Sequence, residues 1–399
     1  MDGTLRTVRL RATVPVLPLV AFILVTFIAP LATMLVRSVY DPLVAGAMPE
    51  TLFLLSEWDG KSTPREAVFE AAVRELLEAR QARNLGRIVT RINRVQPGMR
   101  SVIMKSVRKL RGISGSDSWR DTLIDMDPAW GEVQTWHAIR RTGERFTMRH
   151  YLHALDLDRG PGGGIVRQRP ERRIYIPLLG RTLAVSLSIT ALCLLLGYPV
   201  AYLIAHASPR WTNLLLLLVL VPFWTSLLVR TTSWIVLLQT RGVINDVLVA
   251  LGLIAEENRI AMIYNMTGTV VAMTHVLLPF MVLPLYSVMR TIPPLYMNAA
   301  STLGASFPRA FWRVYWPQTQ PGVFAGSLLV FILAIGYYIT PELVGGRSGQ
   351  LISNMIAYHM QQSLNWGLAA AVSGILLLCV FVIYLIYDRV VGIERMKLG

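Results

Sequence analysis

Cysteine is nearly absent: the 399 residues include two, Cys193 and Cys379. Both sit inside apolar runs, which excludes a disulfide framework and a thiolate metal site and leaves them as small buried hydrophobes. Acidic residues are scarce as well, 24 Asp/Glu against 39 Lys/Arg, for a formal charge of +15, and the long apolar runs hold almost none of them. No G-x-x-x-x-G-K-[ST] loop occurs, so the chain lacks a phosphate cradle of its own, and neither G-x-S-x-G nor H-E-x-x-H marks a hydrolase. Apolar side chains, by contrast, make up 53% of the residues, too many for an ordinary soluble domain of this length. The basic excess does not point to nucleic acid, because most of it lies in one segment and the rest flanks apolar runs.

Six segments approach the roughly 20 residues that cross a bilayer: about 14–36, 182–205, 214–238, 268–289, 322–340 and 368–387. The expectation is an all-α membrane protein. The first segment, after the basic "RTVRLR", exceeds the roughly 7–15 apolar residues of a signal peptide and has no small-x-small site after it, so it reads as an uncleaved span. With the N-terminus inside, the short pieces 1–13, 206–213, 290–321 and 388–399 carry ten Lys/Arg, and the outer loops 239–267 and 341–367 carry three. The positive-inside rule therefore puts both termini in the cytoplasm.

The connector between spans four and five, "NAASTLGASFPRAFWRVYWP" at 298–317, is more structured than a turn needs to be. Helix formers lead to Gly304 as a stop, and Pro308 opens a second short helix with Phe311, Val314 and Tyr315 on one face. Pro317 and Pro321 are expected to end that helix before span five. By pattern alone this rigid elbow is either a docking surface or a helix packed on the membrane surface.

The stretch resembles the EAA loop of binding-protein-dependent ABC importer permeases: E-A-A, three residues, G, nine residues, I-x-L-P. Asn298, Ala299 and Ala300 precede Gly304 at the family distance, Ala305 follows, and Val314, Trp316 and Pro317 close the pattern. Asn298 stands where the family usually has Glu, so a salt bridge from that position is not carried over. "GRTLAVSLSITALCLLLGYPVAYLIA", "VPFWTSLLVRTTSWIVLL" and "YYITPELVGG" look like the spermidine/putrescine branch. The resemblance implies a type I ABC importer permease core of five helices, spans two to six, plus an N-terminal helix. It also implies no catalysis in this chain and no cofactor bound by it. ATP and Mg are handled by a dimeric ATPase partner gripping the loop at 290–321. A second permease subunit, a periplasmic solute-binding protein and membrane lipid complete the expected partners, in a bacterial inner membrane.

Within the spans, Arg230 demands an account, since a charge at mid-membrane costs about 2.5–3.5 kcal/mol on insertion scales. Helical spacing places it on a stripe with Ser226, Ser233 and Trp234, near Pro222 and Trp224, where it either lines the translocation path or snorkels outward to Asp246, Glu256 or Glu257. Tyr338 and Glu342 stand where span five breaks. Glu342 is either a carboxylate on the route of a cationic solute or a partner for Arg347.

Between spans one and two lies a large insert, about 40–175, followed by the core at 176–390 and a tail at 391–399. The insert carries 23 Lys/Arg against 17 Asp/Glu. It reads as mostly helical and periplasmic. "TPREAVFEAAVRELLEAR" predicts a helix with a Thr63–Glu66 capping box and an apolar face of Phe69, Ala72, Val73, Leu76 and Leu77, and a basic helix is expected near 99–111. His137, His150 and His153, with Asp156 and Asp158, have no metal-specific spacing, and no metal is assigned. A secondary transporter is the alternative reading, but no inverted repeat and almost no intramembrane acid supports it.

Overall fold

The computed structural model describes residues 16–113, 115–160 and 164–391. The basic N-terminal tail, residues 161–163 of the "DRGPGGG" linker and the C-terminal tail from 392 lie outside the described residues. The chain divides into two compact units, residues 1–151 and 152–399.

The first unit opens with α1 (Leu17–Val39), an apolar helix whose side chains are mostly exposed, as lipid-facing residues are. Seven further helices follow: α2 (Leu43–Ala47), α3 (Pro49–Ser56), α4 (Glu66–Gln81), α5 (Leu85–Val95), α6 (Met99–Leu110), α7 (Trp119–Met126) and α8 (Val133–Thr142). Phe69, Ala72, Val73 and Leu76 of α4 are buried and Leu77 is half-buried, the i, i+3, i+4 stripe of a helix facing a core. On α6, Met99, Ile103, Val107 and Leu110 face inward while Lys105, Arg108 and Lys109 are exposed.

Two tryptophans fill the centre of this unit. The Phe69 and Trp136 rings meet edge-on at 4.6 Å, and Trp130 Nε1 donates to Ser106 Oγ at 2.9 Å while Trp136 Nε1 donates to Trp130 O at 2.9 Å. Both rings thus bury their bulk without orphaning a polar atom. Trp136→Ala is expected to cost about 3–5 kcal/mol, measurable as faster protease cleavage of residues 40–150 in membranes that still hold the chain.

The expected capping box is not formed. The N-cap of α4 is Arg65, without a side-chain cap, and Thr63 Oγ1 donates to Gly131 O. Glu66 turns outward instead and accepts from Arg120 N and Ser118 Oγ at the start of α7. A carboxylate satisfies whichever helix N-terminus it can reach, here a neighbour's. Glu75 does the same while buried, accepting from Glu50 N and Thr51 N in the first turn of α3.

The second unit begins with a small antiparallel hairpin, β1 (Leu157–Arg159) and β2 (Ile165–Arg167), with Leu157 opposite Arg167. It continues into α9 (Tyr175–His206), α10 (Pro209–Trp224), α11 (Leu227–Leu237), α12 (Val243–Ala250) and α13 (Met266–Met289). Then come α14 (Pro294–Thr302), α15 (Phe307–Gly336, with a π-helical stretch at 311–315), α16 (Ile339–Val344), α17 (Ile352–Gln361) and α18 (Trp366–Val391). Among the described residues, five helices are long and apolar enough to span a bilayer, or six if α10 and α11 are counted as one bent span.

Helices α9, α13 and α15 pack into one buried cluster with Ile189, Met281, Val282, Leu285 and Val330 at its centre. Gly322 and Gly326, four apart on α15, let that helix approach α13 closely. A methyl group at either would meet Leu285 Cα at 3.1 Å or Met281 Sδ at 2.7 Å, the small-xxx-small device of membrane helix pairs.

Two expectations about the spans need correction. The apolar run 214–238 is not one helix: α10 and α11 meet at 97° across Thr225 and Ser226, both in extended conformation. Nor do Pro317 and Pro321 end the helix before span five. They lie inside α15, which runs from Phe307 to Gly336. The π-stretch lies directly ahead of Pro317, which falls in the first turn of the α-helical part where its missing N–H is harmless, and Pro321 is a helix-interior proline of the kind that membrane spans tolerate. Gln318 Nε2 donates to Val314 O at 2.8 Å in the turn between them.

Candidate functional site

The elbow is built by three local rules. Pro294 sits in the first turn of α14, where its missing N–H is harmless. The helix stops at Gly304, whose φ of +81° glycine adopts at low cost. Gly304 N donates to Ser301 O and Ala305 N to Ala300 O, both at 3.0 Å, the paired bonds of a Schellman stop. Asn298 and Ala299 are exposed and Ala300 is half-buried. Around them stand Leu295, Leu303 and Phe307, respectively 70%, 88% and 62% exposed, an apolar surface displayed on a connector rather than in a core.

Beyond the turn the elbow is rigidly joined to the bundle. Tyr315, in the π-stretch, is buried against Tyr202 of α9 at 5.4 Å, and Tyr198 packs on Trp316 at 5.2 Å. Val314 is half-buried in the same turn, and Pro317 is exposed one turn on. The chain just past the turn is thus held against α9 by T-shaped and tilted aromatic contacts.

The opposite end of α15, about 45 Å away at 1.5 Å per residue, carries the second group of candidates. The helix ends at Gly336, Tyr337 is extended, and α16 follows. A cleft of about 350 Å³ opens here, lined by Tyr338, Glu342, Arg347, Asn354, Met355 and Tyr358 among others. Glu342 accepts from Asn354 Nδ2 at 2.7 Å, and the same amide donates to Tyr338 O at 2.9 Å. The expected alternative, a Glu342–Arg347 pair, is absent among the described residues: Arg347 shares the cleft but not an ion pair.

Arg230 pairs with none of Asp246, Glu256 and Glu257 among the described residues. It lies on α11 just past the bend, and its guanidinium donates to Pro222 O, to Thr225 O at 3.0 Å and to Thr225 Oγ1 at 3.4 Å. Asp246 and Glu256 are taken by Arg259, at 2.7 and 2.9 Å. Glu256, and after it Asp246, hold that guanidinium above its ordinary pKa. Arg230 thus caps the C-terminal carbonyls of α10, where the helix dipole is negative. Ser226, expected on its face, is the N-cap of α11, with Oγ accepting from Val229 N at 3.2 Å. Trp224 is exposed at the corner. Trp234 Nε1 donates to His275 Nδ1 of α13 at 3.1 Å, and Thr231 and Thr340 hydroxyls meet at 3.3 Å, joining α11 to α16.

The structure therefore brings Tyr338 and Glu342 together and gathers Trp224, Ser226 and Arg230 at the bend. His275 and Asn354 escaped notice in the sequence. A single histidine inside the apolar run of span four was the signal for the first; nothing local marks the second. Asp156 acts at the start of the core, where its buried carboxylate accepts from Ile174, Tyr175 and Ile176 N at 2.8–3.1 Å and caps α9.

Residues 172–392 match the family described as binding-protein-dependent transport system inner membrane component. The chain is 35% identical over 215 residues to the spermidine/putrescine transport system permease protein PotB of Haemophilus influenzae, covering 54% of this chain and 74% of that one. It is 36% identical to PotB of Escherichia coli over 216 residues, 54% and 78% of the two chains. It is also 32% identical over 208 residues to the molybdenum transport system permease protein ModB of Mycobacterium bovis, 51% and 74% of the two. The insert up to residue 171 lies outside the matched range.

Proposed function

Since the chain belongs to the family of binding-protein-dependent transport system inner membrane components, we propose that residues 294–317 are the lever on which a separate ATPase subunit works. The chain is a multi-pass permease of an ABC importer, with a type I permease core. The observation that carries the lever is the elbow's exposed Leu295, Leu303 and Phe307, set on a fixed turn and stacked into α9 and α15. Apolar side chains so displayed favour a protein partner. Asn298, Ala299, Ala300, Gly304, Ala305, Val314 and Pro317 shape that surface. ATP and Mg belong to the ATPase, two copies of which engage this permease and a second permease subunit.

Both termini face the cytoplasm, by the distribution of short-loop charge, and the elbow faces it with them. The cleft at Tyr338 and Glu342 then opens to the periplasm, where a solute-binding protein delivers its cargo. The insert, about 40–175, is that protein's second contact, ahead of the permease core at 176–390. The solute is a polyamine or a similar small nitrogenous cation: the spermidine/putrescine relatives support this, as does a carboxylate lining the cleft. The binding protein, more than this core, selects the solute, a reading supported by the comparable identity to a molybdenum permease. Trp224, Ser226, Arg230 and Trp234 belong to the bent span beside this route.

Glu342→Gln keeps an acceptor for Asn354 and removes the charge. Uptake of a labelled polyamine should fall about tenfold, the worth of one charge-assisted contact, with chain abundance unchanged. Undiminished uptake would remove Glu342 from the solute's path. The assembly itself is tested by gentle purification of the tagged chain from its native membrane with mass spectrometry of its companions. A P-loop ATPase and a second permease are expected. A chain that purifies alone under conditions preserving other ABC complexes contradicts the reading.

A further inference from the structure

The hairpin ahead of α9 carries five arginines, Arg159, Arg167, Arg169, Arg172 and Arg173, against Asp158 and Glu171, with no lysine. All five arginines are exposed, as are the apolar Ile165, Val166, Ile174 and Ile176 among them. Its place is fixed. Asp156, whose carboxylate caps Ile174, Tyr175 and Ile176 N, also accepts from Gln168 N through its backbone carbonyl. Gln168 Nε2 donates to Leu157 O at 3.0 Å, and Arg173 Nε donates to Gln168 O at 2.6 Å. The hairpin is thereby tied to the first turn of a helix that spans the membrane.

That first turn lies at the membrane surface. Helix α9 has 32 residues, about 48 Å at 1.5 Å per residue, against a hydrocarbon core of about 30 Å. Its continuous apolar run begins near Thr182, so residues 175–181 and the hairpin before them stand at headgroup depth. Exposed isoleucine and valine beside arginine suit that layer, where apolar surface can enter the acyl boundary and guanidinium can bind phosphate bidentately. We propose that the hairpin residues 157–160 and 164–173 form a docking surface for anionic phospholipid headgroups in the leaflet on the insert's side of the membrane. On the proposed orientation these arginines flank a span on the side that the positive-inside rule leaves poor in basic residues; a phosphate-bearing partner accounts for their being there.

The full chain, with Cys193→Ala and Cys379→Ala, is labelled with a fluorophore at Val166→Cys and reconstituted without other proteins. Brominated phosphatidylglycerol should quench the label more than brominated phosphatidylcholine at equal mole fraction. The preference should shrink about fivefold for each of Arg167, Arg169 and Arg172 changed to Gln, be largely retained by Lys, and weaken in 0.5 M salt. Equal quenching by the two lipids overturns the proposal. So does absence of quenching by either, which assigns the arginines to an acidic protein surface, and so does a preference that survives all three Gln changes.

Discussion

Gly304→Val abolishes ATP-driven uptake and leaves the chain in the membrane at its normal level. Gly304 has a φ of +81°, a region that costs an L-residue roughly 1–2 kcal/mol and a β-branched one more. A methyl group there meets nothing within 4 Å, so the penalty is conformational and not a clash. The turn relieves it by leaving the left-handed region, which breaks the bonds from Gly304 N to Ser301 O and from Ala305 N to Ala300 O. Leu303 and Phe307 then lose their fixed relation, while the packed cluster of α9, α13 and α15 is untouched. Gly304→Asn, which tolerates the same backbone, should keep uptake within about threefold. The measurement is solute uptake into vesicles holding the whole transporter, normalised to chain abundance. Normal uptake by the valine variant would mean that this turn transmits nothing.

The second large effect falls on stability. Arg230→Leu removes the donors to Pro222 O, Thr225 O and Thr225 Oγ1, which takes the side-chain donor from Thr225 O at a 97° corner of a membrane span and leaves Pro222 O with Thr225 N and Oγ1 alone. Hydrogen bonds from a charged donor contribute about 1.5–3 kcal/mol each, and lipid replaces none of them. Losing the two to carbonyls predicts a loss of about 3–6 kcal/mol. For a unit of this size that is a fall in thermal midpoint of about 6–24 °C. Arg230→Lys, a shorter and unforked cation, should recover part of it. A gate residue behaves differently, with leucine changing uptake kinetics at unchanged thermal stability. Size-exclusion chromatography after heating separates the two outcomes.

The bend also marks the limit of what the sequence makes legible. Spans one, two, four and six were readable because an apolar run of the right length has one economical conformation in lipid. The elbow was readable because a left-handed stop and helix-opening prolines are local devices, written within a few residues of where they act. The corner at Thr225 and Ser226 was hidden because side chains on both limbs are equally apolar, so hydropathy runs straight through it. The proline at 222 and the Ser N-cap at 226 were its signals. Pro317 and Pro321 misled in the opposite sense, since Pro317 opens the α-helical part of the span and a membrane helix can carry a proline such as Pro321 in its interior. Long-range partners were not legible. Glu66 passes over its own helix to cap α7, Glu342 takes Asn354 from a separate helix, and Arg230 finds backbone carbonyls instead of the acids in the next loop.

If the elbow is the surface that a separate ATPase grips, its most exposed side chains lie within reach of that ATPase. A photo-cross-linking amino acid at Leu303, the most exposed apolar residue there, tests this in the native membrane. Irradiation should join the chain to a P-loop ATPase, with a yield that falls at least tenfold when the same group is placed at Phe53 in the insert. Cross-links from Leu303 to lipid alone, with the ATPase present in the same membrane, would contradict it.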